Sequence, residues 1–321
     1  MNATPAAAWE SLLVLGDVVT DVVARHRQPL APGTDTVATI RTVPGGAGAN
    51  VACWAARWGA HGVRLLASAG ADSADWHEQA LREAGVRPHL VVVPTEPTGT
   101  VICLVDESAA AERTFLTATG ASLALTPDHW SAHGLDGVAH LHISGYLFFS
   151  EPSRSTAAAA LAEARERGVP VSVDPASSGF LAEQGVERFL TTTRGAGILL
   201  PNLDEARLLT GLPDPVDAAA KLSRQFPLVV VTLGADGALV ARGGSVSRRV
   251  PAPAVTPVDT TGAGDAFTGA FLTALLAGAD PEHAAEEGCR AGAEAVVGVG
   301  GRPGRERNEG FGEGRLPQRR R

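Results

Sequence analysis

The chain has 321 residues, 45% apolar and 19% charged, enough apolar material for one large α/β unit or two domains. Its 37 glycines and 21 prolines fall short of the roughly 25–30% that marks low-complexity disorder, and a net charge of −8 argues against nucleic acid, whose phosphates call for a basic face. The single lysine, Lys221, sits in no Gly-Lys-Ser/Thr tripeptide and no protein-kinase signature, which excludes a Walker A loop and a kinase strand lysine.

The apolar run Leu12–Leu15, flanked by Glu10 and Asp17, is too short for a signal core or a membrane span. It belongs to a buried strand over Ser11–Val19 that ends at Gly16-Asp17. Val37–Val43 alternates like a strand with one wet face. A glycine-rich stretch, Pro44 to Asn50, opens a helix that runs to about Trp58. A strand over Val63–Ala69 and a helix over Ser73–Ala84, stopped by Gly85, follow. Thr100–Asp106 and Arg113–Thr117 read as two short strands around a polar turn, and Ala139–Ile143 as another strand. From there strands alternate with helices: helix Arg154–Arg167, strand Val169–Val173, helix Phe180–Leu190, strand Gly197–Leu200, helices Asp204–Leu209 and Val216–Gln225, strand Leu228–Leu233. That alternation predicts a parallel, doubly wound sheet with helices on both faces. A hairpin over Ala238–Val250 turns at Gly243-Gly244, and two helices start near Ala263 and Pro281. The Arg- and Gly-rich stretch 305–321 has no apolar period and is expected to be a disordered tail behind a domain spanning 1–304. Cys53, Cys103 and Cys289 lie far apart with no CxxC, so a reduced, cytoplasmic setting is expected, without zinc ribbon or disulfide framework.

The strongest chemical signal is Asp259-Thr260-Thr261-Gly262-Ala263-Gly264-Asp265, which ends a loop and starts the apolar helix from Phe267. A helix start offers unpaired N–H groups and a partial positive charge, and small residues at 262–264 let an anion approach them. Asp265, in the first turn, then stands beside that anion, where one use for a carboxylate is to take a proton from an attacking hydroxyl; the plainer reading is a helix-dipole partner. Gly45-Gly46-Ala47-Gly48-Ala49-Asn50 fails the dinucleotide fingerprint, because Val51 stands where the last glycine belongs. It leaves backbone room for a polyol, with Asn50 to hydrogen-bond it, or is simply a loop before a helix. Asp17 and Asp21 lie just past the first strand, where α/β sheets meet ligands. Asn202 and Glu205 have the spacing of a capping box. His140 and His142 share one strand face and read as structural.

Together these motifs resemble the ribokinase-like (PfkB) carbohydrate kinase family, over residues 12 to about 304. The resemblance is carried by Asp259–Phe267 with Gly269, Ala270, Phe271 and Leu272, by Gly45–Asn50 through Gly59, by Asn202-Leu203-Asp204-Glu205, and by Thr232-Leu233-Gly234. It implies a central, mostly parallel sheet flanked by helices, plus a small β lid from about 20–43 and 98–118. It implies an ATP-dependent kinase acting on a sugar or sugar-like polyol, with nucleosides as the second substrate class and a catalytically silent binding regulator as the non-enzyme alternative. By resemblance, Asp265 is the general base, and Gly262, Ala263 and Gly264 supply the anion hole. Asp21, Gly46 and Asn50 bind substrate. Asn202 and Glu205 serve the phosphates and Mg²⁺, and Thr232 and Gly234 lie near ATP. Asp259 and the Thr261 carbonyl hold a monovalent cation such as K⁺. The resemblance further implies a homodimer through the lid, with neither nucleic acid nor membrane as a partner. Ribose-specific members carry an acid soon after the strand matching Ala139–Ile143, and none occurs here before Glu151.

Overall fold

The computed structural model describes residues 11–106 and 112–304. The tail expected at 305–321 lies outside the described residues. In chain order the strands are β1 Ser11–Leu15, β2 Val19–His26, β3 Ala38–Gly45, β4 Arg64–Gly70, β5 Arg87–Val93, β6 Thr98–Asp106, β7 Glu112–Gly120, β8 Val138–Ser144, β9 Val171–Asp174, β10 Ile198–Leu199, β11 Leu228–Thr232, β12 Ala238–Arg242 and β13 Ser245–Val250. The α-helices are α1 Ala47–Arg57, α2 Ala74–Glu83, α3 Glu151–Glu166, α4 Ser178–Gln184, α5 Val186–Thr192, α6 Leu203–Thr210, α7 Pro215–Leu222, α8 Ala263–Leu276 and α9 Pro281–Val296.

Nine strands form one sheet in the order β13-β12-β11-β10-β9-β8-β1-β4-β5, parallel except for the β12–β13 hairpin at one edge. β1 is apolar throughout because both of its faces are covered. Leu13 and Leu15 join the core beneath α3 and α7, while Leu12 and Val14 join the core shared with α1, α8 and α9. α8 is buried on most sides, packed between α1 and α9, which fixes the direction in which its N-terminus points. The remaining four strands make the separate small sheet, in the order β3-β2-β6-β7, with a parallel β2–β6 pair at its centre and antiparallel flanks.

Three expectations need correction. β5 is an additional edge strand of the large sheet; its Arg87-Pro88-His89 start lacks the strand-like alternation, and a proline is tolerated there because the strand is at an edge. The helix expected over Phe180–Leu190 is two helices, α4 and α5, broken at Gly185, whose φ of 96° no right-handed helix accommodates. The stretch Ser11–Val19 divides at Gly16, with Val19 already belonging to the small sheet. Among the described residues no helix is long and apolar enough to cross a membrane.

His140 and His142 lie inside the core, as their shared face suggested. Both rings bond the Ser172 hydroxyl, at 2.8 and 2.9 Å. That hydroxyl carries one proton, so it donates to one ring and accepts from the other. Burial pushes their pKa values down, to about 4 for His140 and about 3 for His142, where His140 adds to the effect. The unfolded chain takes up protons at an ordinary histidine pKa of about 6.5, so stability falls as pH drops through 6.5 toward the folded values. The contribution lost by pH 5 is about 2 kcal/mol per imidazole. It is read as a difference, since raised carboxylates elsewhere act in the opposite sense. Urea unfolding at pH 7 and pH 5 should show a steeper loss for wild type than for the His140→Gln/His142→Gln double variant; equal slopes would mean that these rings titrate normally.

Candidate active site

The C-terminal ends of β1, β8, β9, β10 and β11 open into one cleft of about 840 Å³, roofed by the small sheet. β2, β6 and β7 carry Asp21, Val101, Phe115 and Thr117 onto the roof, and the register Asp21–Val101–Thr117 places three of these on one rung. The small sheet therefore forms a lid over the cleft.

The glycine-rich segment is built against β1. Asp17, 4% exposed, accepts hydrogen bonds from Ala47 N–H (2.9 Å), Gly48 N–H (3.0 Å) and the Ser144 hydroxyl (2.9 Å). It thereby caps the start of α1, which has no cap of its own. A Cβ on Gly48 would overlap Gly16, so this close approach requires glycine. Asp17 is thus a buried anchor of the α1 start, and Asp21, four residues on, is the acid that the lid holds over the cleft. α1 in turn presents Asn50, whose Nδ2 donates to Asp265 Oδ2 at 2.8 Å across 215 residues of sequence.

Asp265 stands in the first turn of α8. That helix starts at Gly262, in the left-handed region (φ 74°), and no side chain caps it. Its first N–H groups lack intrahelical acceptors, and Gly262 and Gly264 face the cleft with them. Burial raises the Asp265 pKa well above the ordinary carboxylate value, the Asn50 hydrogen bond opposes this, and Asp174, Asp17 and Asp21 reinforce it. Asp21 is pushed up to about 7, again mainly by burial, with Arg302 pulling down and Asp17 and Asp259 pushing up. Asp259, 4% exposed, accepts from Thr261 N–H (2.9 Å) and Gly300 N–H (3.0 Å), joining the loop before α8 to the segment after α9.

At the other end of the cleft the Asn202–Glu205 pair forms the capping box its spacing suggested. Glu205 N–H donates to Asn202 Oδ1 (2.9 Å) and Asn202 N–H to Glu205 Oε2 (2.8 Å). Both residues also line the cleft. Glu205 is raised by burial and then by Asp174; Asp174 is raised by burial, held back by the Ala176 N–H it accepts at 2.6 Å. Thr232 faces the cleft beside them. Of the other expected site residues, Asp21, Gly46, Asn50 and Thr261 line the cleft, whereas Ala263, Gly234 and Asp259 are not among its lining residues.

Asp174 is a lining carboxylate that the sequence reading missed. It ends β9, and its place at the carboxyl end of a parallel strand was the available signal. Tyr146, in the 3₁₀ turn Gly145–Phe149, is partly buried beside carboxylates; desolvation and Asp17, Asp265, Asp174 and Glu205 raise its pKa, so its phenol is a neutral donor in an acidic cleft. Its ring meets Phe149 and Phe180 edge-on at centroid distances of 6.0 Å.

A sequence profile of the pfkB family carbohydrate kinases matches residues 10–307. The chain is 31% identical over 280 residues to a fructokinase from Klebsiella pneumoniae, covering 85% of this chain and 86% of that one. It is 32% identical over 278 residues to a ribokinase from Haemophilus influenzae, covering 83% and 86%. In structure it resembles a proposed ribokinase II from E. coli in complex with ATP and Mg²⁺, with a TM-score of 0.80 and 24% identity over 91% of this chain and 94% of that one.

Proposed function

The chain belongs to the pfkB family of carbohydrate kinases, and from that premise we propose that it transfers the γ-phosphoryl group of ATP to a hydroxyl of a sugar or sugar-like polyol. The observation that carries this reading is the pairing of Asp265 with the uncapped start of α8: a carboxylate of raised pKa stands in a first turn that no side chain caps, beside the cleft-lining Gly262 and Gly264.

In this reading Asp265 takes the proton from the attacking hydroxyl, and Asn50 fixes the direction of its carboxylate. The N–H groups of Gly262, Ala263 and Gly264 receive the charge that develops on the transferred phosphoryl oxygens. Asp21, Gly46 and Asn50 bind the acceptor's hydroxyls from the lid and from α1. Asn202, Glu205, Thr232 and Gly234 serve ATP and its metal. The fit for Mg²⁺ rests on Glu205 and Asp174, two carboxylates that face the cleft close enough for Asp174 to raise the Glu205 pKa. Mg²⁺ usually keeps several waters and is held by one or two carboxylates together with substrate phosphates. Bound there, Mg²⁺ neutralises phosphate charge. By the family resemblance, the Asp259 carboxylate and the Thr261 carbonyl would be the ligands of a monovalent cation such as K⁺. The lid excludes water, which would otherwise compete for the phosphoryl group.

The test is ADP release from Mg-ATP in the presence of K⁺ across sugars, sugar phosphates and nucleosides, with Asp265→Asn as control. Turnover of a sugar, lost in the control, supports the reading. A preference for nucleosides would move it to the second substrate class, in which the Tyr146–Phe149–Phe180 cluster stacks the base. Binding of Mg-ATP without turnover of any compound would favour a silent regulator.

We also propose that two lids pair in a homodimer. The lid face turned away from the cleft carries Val22, Ile102 and Leu116 on one rung, and Ile40 and Leu104 on either side of Ala24 on the next. Ile40 is 64% exposed and Leu116 53%. Charging this face with Leu116→Asp should convert the dimer to a monomer by sedimentation velocity with the fold intact; an unchanged sedimentation coefficient would place any interface elsewhere.

A further inference from the structure

The segment that leaves α9 crosses behind the site and meets Asp259, the start of α8, α1 and the end of β3. Gly300 N–H donates to Asp259 (3.0 Å), and the Gly301 carbonyl accepts from the Trp54 indole (2.9 Å). A Cβ on Gly262 would overlap Gly301, and a Cβ on Gly301 would overlap the Asn50 amide, so this backbone lies flat against both the anion-hole turn and the acceptor side of α1. Arg302 then turns inward. Its Nη2 donates to the carbonyl of Gly45 (3.1 Å), the last residue of β3, while Nε and Nη1 are buried with no partner among the described residues.

A buried N–H without an acceptor costs about 1–3 kcal/mol, and a well-packed apolar side chain commonly replaces a buried charge without loss of stability. Packing alone therefore does not account for an arginine here. What the guanidinium reaches is the root of the lid. Gly45 carries two contacts at once: its carbonyl takes Arg302, and its Cα faces the Asp21 carboxylate so closely that a Cβ there would overlap it. Arg302 is the cation whose field acts on Asp21, against the carboxylates Asp17 and Asp259. It does so from behind, because Asp21 lines the cleft and Arg302 does not.

We propose that Arg302 is a positioning residue of the acceptor site, holding the lid root at Gly45 and the Asp21 carboxylate in the arrangement that receives the acceptor's hydroxyls. The inference rests on the sugar-kinase reading above. It separates the acceptor from the nucleotide, since the contacts of Arg302 lie on the lid side and Asn202, Glu205 and Thr232 lie at the other end of the cleft.

The test is steady-state ADP release with D-fructose or D-ribose as acceptor, comparing wild type with Arg302→Met and Arg302→Ala. Met fills similar space without charge, so it keeps the fold if Ala does not. Both variants should raise the acceptor KM by about 10-fold or more, which corresponds to ~1.4 kcal/mol of lost binding, with ATP KM within about twofold of wild type. An unchanged acceptor KM in a folded Met variant overturns the proposal. So does an equal rise in both KM values, which would mark a general packing role. A wild type that binds Mg-ATP but phosphorylates neither sugar removes the sugar reading and this inference with it, an outcome recognisable because it appears before any variant is made.

Discussion

Asp265→Asn lowers kcat by at least ~10²-fold, the scale of general-base loss, and leaves ATP affinity near that of wild type. The expectation follows from geometry first. Asp265 sits one turn into α8, facing the cleft beside Gly262 and Gly264, and Asn50 holds its Oδ2 at 2.8 Å. The amide keeps the volume and an oxygen for Asn50 while removing the proton acceptor. Stability should move the other way. In the unfolded chain the carboxylate ionises at its ordinary pKa, whereas in the fold burial raises that value. Ionisation at neutral pH therefore opposes folding, and the neutral amide relieves that cost. An unchanged or higher thermal midpoint together with collapsed turnover would separate chemistry from misfolding. The same raised pKa sets the acid limb of kcat/KM, because a general base must be unprotonated: activity should be lost with falling pH above the usual carboxylate range. Asn50→Ala removes the hydrogen bond that lowers the Asp265 pKa, so it should shift that limb further toward neutral pH. Near-wild-type turnover in Asp265→Asn would remove Asp265 from the base role.

How far the sequence reveals this arrangement depends on whether a residue's role is local. β1 is legible because burial on both faces makes Leu12–Leu15 uniformly apolar. The Asn202–Glu205 capping box is legible because its two hydrogen bonds close within four residues. The start of α8 is legible because glycines and an acid at one helix end have few other uses. Asp17 reads only as an acid just past the first strand until the fold brings Ala47, Gly48 and Ser144 to it from two other segments. Arg302 carries no local signal at all: it stands in a Gly-Arg-Pro-Gly stretch that reads as the edge of a tail, and its meaning comes from Gly45, 257 residues earlier in the chain. β5 escaped because an edge strand needs only half of the usual alternation. Long-range convergence, in which the strand ends supply one group each, is the part that pattern alone does not encode.

Gly262→Ala should be the second most damaging change, and it separates packing from catalysis at the anion hole. Gly262 has φ of 74°, where an L side chain costs on the order of 1–2 kcal/mol, and a Cβ there would overlap Gly301. The alanine must push the turn away from the segment after α9, which moves the first N–H groups of α8 relative to Asp265. Misplacing one such donor costs kcat about 10²–10³-fold in comparable oxyanion sites, and the thermal midpoint should fall as well. Gly264→Ala is the matched comparison. Gly264 has an ordinary backbone conformation, and nothing lies within 4 Å of an added Cβ, so the fold should tolerate it. That Cβ would stand in the space left for the phosphoryl oxygens, so Gly264→Ala should lose turnover with little change in melting. A folded Gly262→Ala enzyme with wild-type kcat would mean that the start of α8 does not hold the transferred group. A Gly264→Ala enzyme with wild-type kcat would place that group farther along the cleft, toward Thr232.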